Sequence, residues 1–160
     1  MKFHFGHQVV INAPIDDVFH KLTSIDYLER VIYLSDLASD FKVIAKENDY
    51  VFNYQFCENV SSFFGLIKNK ITIIVKQTAD PQAKTLLYES NVNNGMVTTV
   101  KRRSFTALNE QKTQVSETVD GECSFIYQPL VKTKGHQAHC EHMEKYHTLF
   151  DSITEEKNNI

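Results

Sequence analysis

The sequence has few cysteines and no long run of apolar residues. Cys57, Cys123 and Cys140 are odd in number and irregularly spaced, and no two of them form a C-x-x-C pair, which disfavours a disulfide framework and a zinc knuckle. Without a continuous apolar stretch, neither a secretory signal nor a membrane span is expected. We therefore expect reduced thiols in a soluble, cytoplasmic protein that makes no integral membrane contact.

The sequence also lacks a strong charge of one sign. Its formal net charge is -3 and its pI is about 6.1. The single basic cluster, Lys101-Arg102-Arg103, lies in an alternating strand pattern, so its side chains should point to both faces of the strand. We therefore expect no nucleic-acid partner.

The sequence does contain a clear order of strands and helices. In residues 3–11, Phe3, Phe5, Val9 and Ile11 lie at odd positions, a period-two pattern broken only by His7, which predicts a half-buried strand. Pro14 suits the first turn of a helix, where its missing N–H costs nothing. Ser24 suits the N-cap of a second short helix that ends near Ile32.

From about Phe41 to Asp120 the pattern predicts six more strands. They are FKVIA, YVFNYQFC, IKNKITIIVKQT, KTLLYESN, MVTTVKRRSFTAL and KTQVSETVD. Short connections between them indicate hairpins and an antiparallel sheet. After Pro129 the apolar period becomes 3.6, which predicts a long helix to about Ile153, with a start weakened by Gly135.

This element order predicts an α+β architecture. The expected fold is a curved seven-stranded antiparallel sheet with two short helices after its first strand. The long C-terminal helix would cover the concave face, because a curved sheet must bury its apolar side.

The stretch VVINAPIDDVFHKLTSIDYLERV, residues 9–31, resembles the opening of the START-related (SRPBCC) superfamily. That superfamily includes pollen-allergen-like proteins and the polyketide cyclase/dehydrase group. The resemblance implies the helix-grip fold and a single START-like ligand-binding domain over residues 1–160. The chain has no tryptophan, so it lacks the tryptophan-rich ends of the Hsp90-activator relatives.

The run GHQAHCEHMEKYH, residues 135–147, contains four of the seven histidines. On a helical wheel, His139 and His142 fall on the apolar face with Met143 and Tyr146. A helical metal pair is normally spaced i, i+4, whereas His139 and His142 are i, i+3, and no second cluster offers a third ligand. We expect no metal site. The two histidines are either core residues or polar groups of a cavity.

Aromatic residues alternate along one predicted strand. Tyr50, Phe52, Tyr54 and Phe56 share one face, and they either fill a core or line a ligand cavity. The alternation leaves both alternatives open.

Charged residues occur within strands that should be neighbours: Glu89, Arg102, Arg103 and Glu117. They either form cross-strand ion pairs on the solvated face, or Arg103 faces inward and holds a ligand carboxylate. The mixed alternation of this strand does not decide between the two.

The resemblance implies a cavity between the sheet and the last helix. The candidate ligand-binding residues are Phe52, Tyr54, Phe56, Arg103, His139, His142, Met143 and Tyr146. The leading hypothesis is binding or carriage of a small hydrophobic molecule, whether a lipid, an aromatic or a polyketide-like compound. We expect it to be carried out by a monomer or weak homodimer that has no cofactor.

The alternative hypothesis is an enzyme that resembles the polyketide cyclase/dehydrase group. His139 or His142 would act as general base, and Tyr54 or Tyr146 would donate a hydrogen bond to a developing enolate. A third hypothesis, an interaction module for another protein, requires an exposed apolar patch.

Overall fold

The computed structural model describes residues 1–62, 67–92 and 94–151. Over these residues one sheet contains β1 (Lys2–Ile11), β2 (Ala38–Lys46), β3 (Val51–Ser62), β4 (Ile67–Asp80), β5 (Thr85–Val92), β6 (Val97–Asn109) and β7 (Lys112–Cys123). Its strand order is β1-β7-β6-β5-β4-β3-β2, and each neighbouring pair is antiparallel. The predicted seven-stranded antiparallel sheet is confirmed.

The two short helices are also confirmed. They are α1 (Ile15–Thr23) and α2 (Ile25–Ile32). Ser24 separates them, and its hydroxyl accepts a hydrogen bond from the Asp26 amide at 3.3 Å, as expected of an N-cap. The apolar faces of both helices are buried.

The C-terminal helix is present where predicted, but it is bent. A π-helical turn (Leu130–Gly135) leads into α3 (His136–Glu144), and a 3₁₀ turn (Tyr146–Leu149) follows. The regular α-helix begins only after Gly135, consistent with the low helix propensity of glycine. The predicted end at Ile153 lies outside the described residues.

The inward face of the sheet is divided by burial into two regions. In the closed half all inward side chains are buried: Phe52, Tyr54, Val75, Gln77, Ala79, Leu86, Tyr88, Arg103, Phe105, Thr113, Val115 and Glu117. In the open half most of them are only half-buried, namely Phe56, Glu58, Val60, Ile71, Ile73, Ser90, Val92, Thr99 and Lys101, whereas Val97, Val119 and Cys123 are buried.

The covering elements explain this division. The closed half belongs to one core with residues of α1 and α2 and with Met143, Tyr146 and Phe150. The open half lies toward the sheet end where β5 turns into β6 and where β7 ends at Cys123. The chain leaves β7 there through a 3₁₀ turn (Phe125–Tyr127), and neither this turn nor the π-helical turn contains a buried residue.

Candidate functional site

A buried ion pair lies at the boundary of the two halves. Arg103 of β6 is directly opposite Glu117 of β7, and its Nε donates to Glu117 Oε2 at 2.5 Å. Both residues are only 2% exposed. Each lies two residues along its strand from a buried residue, Arg103 from Phe105 and Glu117 from Val115, and side chains two residues apart point to the same face of a sheet. Arg103 therefore faces inward, and its cross-strand ion pair is on the concave face rather than the solvated one.

A directed chain of hydrogen bonds runs from this pair to α2. Arg103 Nη2 donates to the Tyr146 hydroxyl, which lies 3.3 Å from His142 Nδ1. His142 Nε2 lies 2.7 Å from the Val31 carbonyl oxygen. Because a carbonyl only accepts, Nε2 carries the proton, so Nδ1 accepts from the Tyr146 hydroxyl. Both ring nitrogens of His142 are thus engaged.

Burial and the surrounding charges set the protonation of this cluster. Burial, with a smaller effect from Lys101, lowers the pKa of His139 to about 3. Burial likewise lowers the pKa of His142 to about 4, against the opposing hydrogen bond to Val31. Burial alone would raise the pKa of Glu117, but Arg103 and Lys101 outweigh it and lower the value to about 2. At neutral pH the histidines are neutral and the carboxylate is ionised.

Three buried atoms of the cluster have no hydrogen-bond partner among the described residues: Arg103 Nη1, Glu117 Oε1 and His139 Nε2. The last two are 3.2 Å apart, but they are not aligned for a hydrogen bond. Because buried polar groups are normally satisfied, these atoms have capacity for a polar group of a ligand.

Lys101 extends the cluster into the open half. It lies two residues before Arg103 on the same face of β6, and its side chain is 25% exposed. Its Nζ is 4.4 Å from the centre of the Tyr88 ring, which is its register partner on β5. On β3, also in the open half, burial raises the pKa of Glu58 and the charge of Lys101 opposes that shift. Lys101 and Glu58 were not among the site residues predicted from the sequence. The alternation offered a signal for both, because Lys101 lies two residues from Arg103 and Glu58 lies two residues from Phe56, on the same faces of their strands.

The structure separates the predicted site residues into three groups. Phe52, Tyr54, Met143 and Tyr146 are buried in the main core. Phe56 packs against that core from the open half, whereas Arg103, His139 and His142 belong to the polar cluster. Contact of any of these residues with a ligand stays a prediction. Tyr50 precedes β3 and is exposed, so the predicted aromatic face has three members.

Two further concavities lie elsewhere on the molecule. One, of about 440 Å³, lies beside the free edge of β1 and is lined by Gln8–Asn12, Met143, Glu144, His147, Phe150 and Asp151. The other, of about 630 Å³, lies on β1, β6 and β7 around Phe3, Thr98–Val100 and Gly121. Neither is lined by the predicted aromatic residues of β3.

Over residues 1–62, 67–92 and 94–151, no group of three or more His, Cys, Asp or Glu side chains is placed to hold a metal ion. No helix in these ranges is long and apolar enough to cross a membrane.

Comparison with solved structures identifies the fold. A protein of Thermus thermophilus superposes with a TM-score of 0.72 at 14% identity, over 91% of this chain and 95% of that one. The Zhui aromatase/cyclase of a Streptomyces species gives 0.65 at 14% identity, over 91% and 94%. Norcoclaurine synthase of Thalictrum flavum, in complex with dopamine and hydroxybenzaldehyde, gives 0.61 at 11% identity, over 91% and 86%.

No protein-family model matches the chain, and no curated protein matches its sequence. The structural likeness, at these identities, establishes the fold. The chain has the helix-grip fold, as the resemblance to the START-related superfamily implied.

Proposed function

We propose that this chain is a single domain that binds a small, largely apolar molecule, aromatic or polyketide-like, in the open half of the concave face. One observation carries the proposal. The same inward face is fully packed at one end, whereas at the other end its side chains on β3, β4 and β5 are only half-buried, and charged hydrogen-bonding groups lie at the boundary. An apolar groove with a few convergent polar groups is the usual form of a small-molecule site.

The apolar part of the proposed site is a row of side chains across three strands. Phe56 pairs with Ile73, and Ile73 pairs with Val92. All three side chains are half-buried, so they keep apolar surface that a ligand can remove from water. Burial of such surface contributes about 25 cal/mol per Å².

The polar part supplies orientation. Arg103 Nη1 and His139 Nε2 are buried and have no hydrogen-bond partner among the described residues, so they are the groups to which we assign a polar atom of the ligand. The likeness to an aromatase/cyclase and to a synthase solved with dopamine and hydroxybenzaldehyde supports an aromatic ligand.

Binding is favoured over catalysis by a histidine base. His142 has no free nitrogen, because Tyr146 and Val31 occupy both. His139 has an unpaired nitrogen, but a pKa of about 3 makes its imidazole a weak base at neutral pH. The cluster therefore suits recognition of a ligand better than proton abstraction from one.

A fluorescence titration with N-phenylnaphthylamine, a neutral aromatic probe, tests the proposal. We expect saturable binding that Phe56→Ala and Ile73→Ala each weaken about tenfold, since each removes apolar contact worth about 1.4 kcal/mol. Ile74→Ala is the matched control, because Ile74 is the next residue of β4 but is exposed on the opposite face.

Circular dichroism and thermal unfolding establish that each variant is folded before it is titrated. Equal weakening by Ile73→Ala and Ile74→Ala would contradict a site on the concave face. The absence of saturable binding to the parent protein would contradict the proposed function itself.

A further inference from the structure

Two cations on the concave face of β6 differ in what surrounds them. Arg103 is 2% exposed and is held by Glu117 and the Tyr146 hydroxyl. Lys101 is 25% exposed, its Nζ is 3.6 Å from Glu117 Oε1, and it lies over the Tyr88 ring. Arg103 is therefore part of the packed floor, and Lys101 is the cation that reaches the open half.

The ion pair of Lys101 is looser than that of Arg103. Glu117 Oε2 lies 2.5 Å from Arg103 Nε, whereas Glu117 Oε1 lies 3.6 Å from Lys101 Nζ, too far for a hydrogen bond. His139 and His142 are neutral at pH 7, as their lowered pKa values show. A second acid among the described residues of the open half is Glu58, half-buried on β3.

The position of Lys101 also fits one end of an elongated ligand. Lys101 lies four residues from Val97 on β6, and Val97 pairs with Val92 of the apolar row. Four residues of a strand span about 13 Å and neighbouring strands lie about 4.8 Å apart, so Lys101 is on the order of 16 Å from Ile73, which lies two strands away. A ligand whose polar end lies beside Lys101 therefore reaches Ile73 if it extends over about that distance.

We propose that Lys101 selects ligands that carry an acidic oxygen, such as a carboxylate, a sulfonate or an ionised phenol, at one end of an aromatic body. This inference rests on the proposed function and names its ligand class. An ammonium donates up to three hydrogen bonds, and bonds to an ionised acceptor are about twice as strong as neutral ones. Sequence analysis left open that Arg103 holds a ligand carboxylate; we assign the anionic end to Lys101, because two of the three guanidinium nitrogens of Arg103 are held by Glu117 and Tyr146 and Lys101 is the more exposed cation.

A matched pair of fluorescent probes tests this inference. Anilinonaphthalene sulfonate and N-phenylnaphthylamine share one aromatic skeleton and differ by the sulfonate group. At pH 7 we expect the parent protein to bind the sulfonate at least about tenfold more tightly. Lys101→Met should remove that preference and leave the affinity for the neutral probe within about twofold.

Two further variants complete the design. Arg102→Met is the matched control, because Arg102 is the next residue but is exposed on the opposite face, where it pairs with Asp120. It should leave the ratio of the two affinities unchanged. Glu58→Gln, which retains Lys101, removes the competing carboxylate and should tighten binding of the sulfonate probe alone by about threefold.

The outcomes separate this inference from the proposed function. Three outcomes would overturn the role of Lys101 without contradicting the aromatic site. They are equal affinity of the parent protein for both probes, a preference for the sulfonate that Lys101→Met does not remove, and no effect of Glu58→Gln on binding of the sulfonate. If neither probe binds the parent protein, the proposed function fails, and the inference fails with it.

Discussion

The closed and open halves of the concave face are made from the same strands, and alternate residues face inward in both, yet the two halves differ in burial. On β3, Phe52 is fully buried and Phe56, four residues on, is half-buried. The difference comes from the cover: two helices and Met143, Tyr146 and Phe150 over one half, and turns without buried residues at the end of the other. One half of the sheet therefore stabilises the fold, and the other keeps surface for a ligand.

The largest effect should come from breaking the buried ion pair of the closed half. Glu117→Gln leaves Arg103 buried without its counter-charge, and we expect a loss of about 3–5 kcal/mol in the free energy of unfolding. Urea denaturation measures it. The double variant Arg103→Met/Glu117→Leu should recover part of the loss, since the fully buried Arg103 charge is removed with its partner and only the partly exposed Lys101 loses an ion pair.

The matched control for that experiment lies on the same two strands. Arg102 and Asp120 form an ion pair of 3.0 Å on the opposite, exposed face. Asp120→Asn should cost no more than about 1 kcal/mol, as is usual for surface pairs. Equal losses of unfolding free energy for Glu117→Gln and Asp120→Asn would show that water reaches Arg103 and Glu117, contrary to their burial in the closed half.

The second effect is a pH dependence of stability from the same half. His139 and His142 have folded-state pKa values of about 3 and about 4, below the ordinary value of 6.5. The unfolded chain therefore binds more protons below pH 6.5, so stability is full above that pH and falls as the pH is lowered. Between pH 6.5 and 5.5 the two groups should cost on the order of 2 kcal/mol.

Urea midpoints measured across this interval test the sign and the origin of the effect. The double variant His139→Gln/His142→Gln should show a flatter profile than the parent. Glu117 does not contribute in this interval, since its stabilising effect is lost only below its ordinary pKa of 4.5. A parent profile that rises as the pH falls would contradict burial of neutral histidines.

Local features were predictable from the sequence because they depend on neighbouring residues. Alternation predicted the strands, and the Ser24 cap predicted the break between α1 and α2. The face occupied by Arg103 was not predictable, since the alternation of β6 is mixed and the cover over each strand is set by distant residues. The same long-range packing separates Phe52 from Phe56, which look equivalent in the sequence.

The smallest effect should come from the apolar tip at the open end. Phe125 and Ile126 are 83% and 84% exposed, so they bury almost no surface in the folded state. Phe125→Ser and Ile126→Ser should each change the free energy of unfolding by less than about 0.5 kcal/mol, the usual range for surface substitutions. Urea denaturation of these two variants and of Glu117→Gln under the same conditions compares the losses of unfolding free energy directly. A loss above about 2 kcal/mol for either serine variant would mean that the tip packs onto the fold, and the open half would then have a cover of its own.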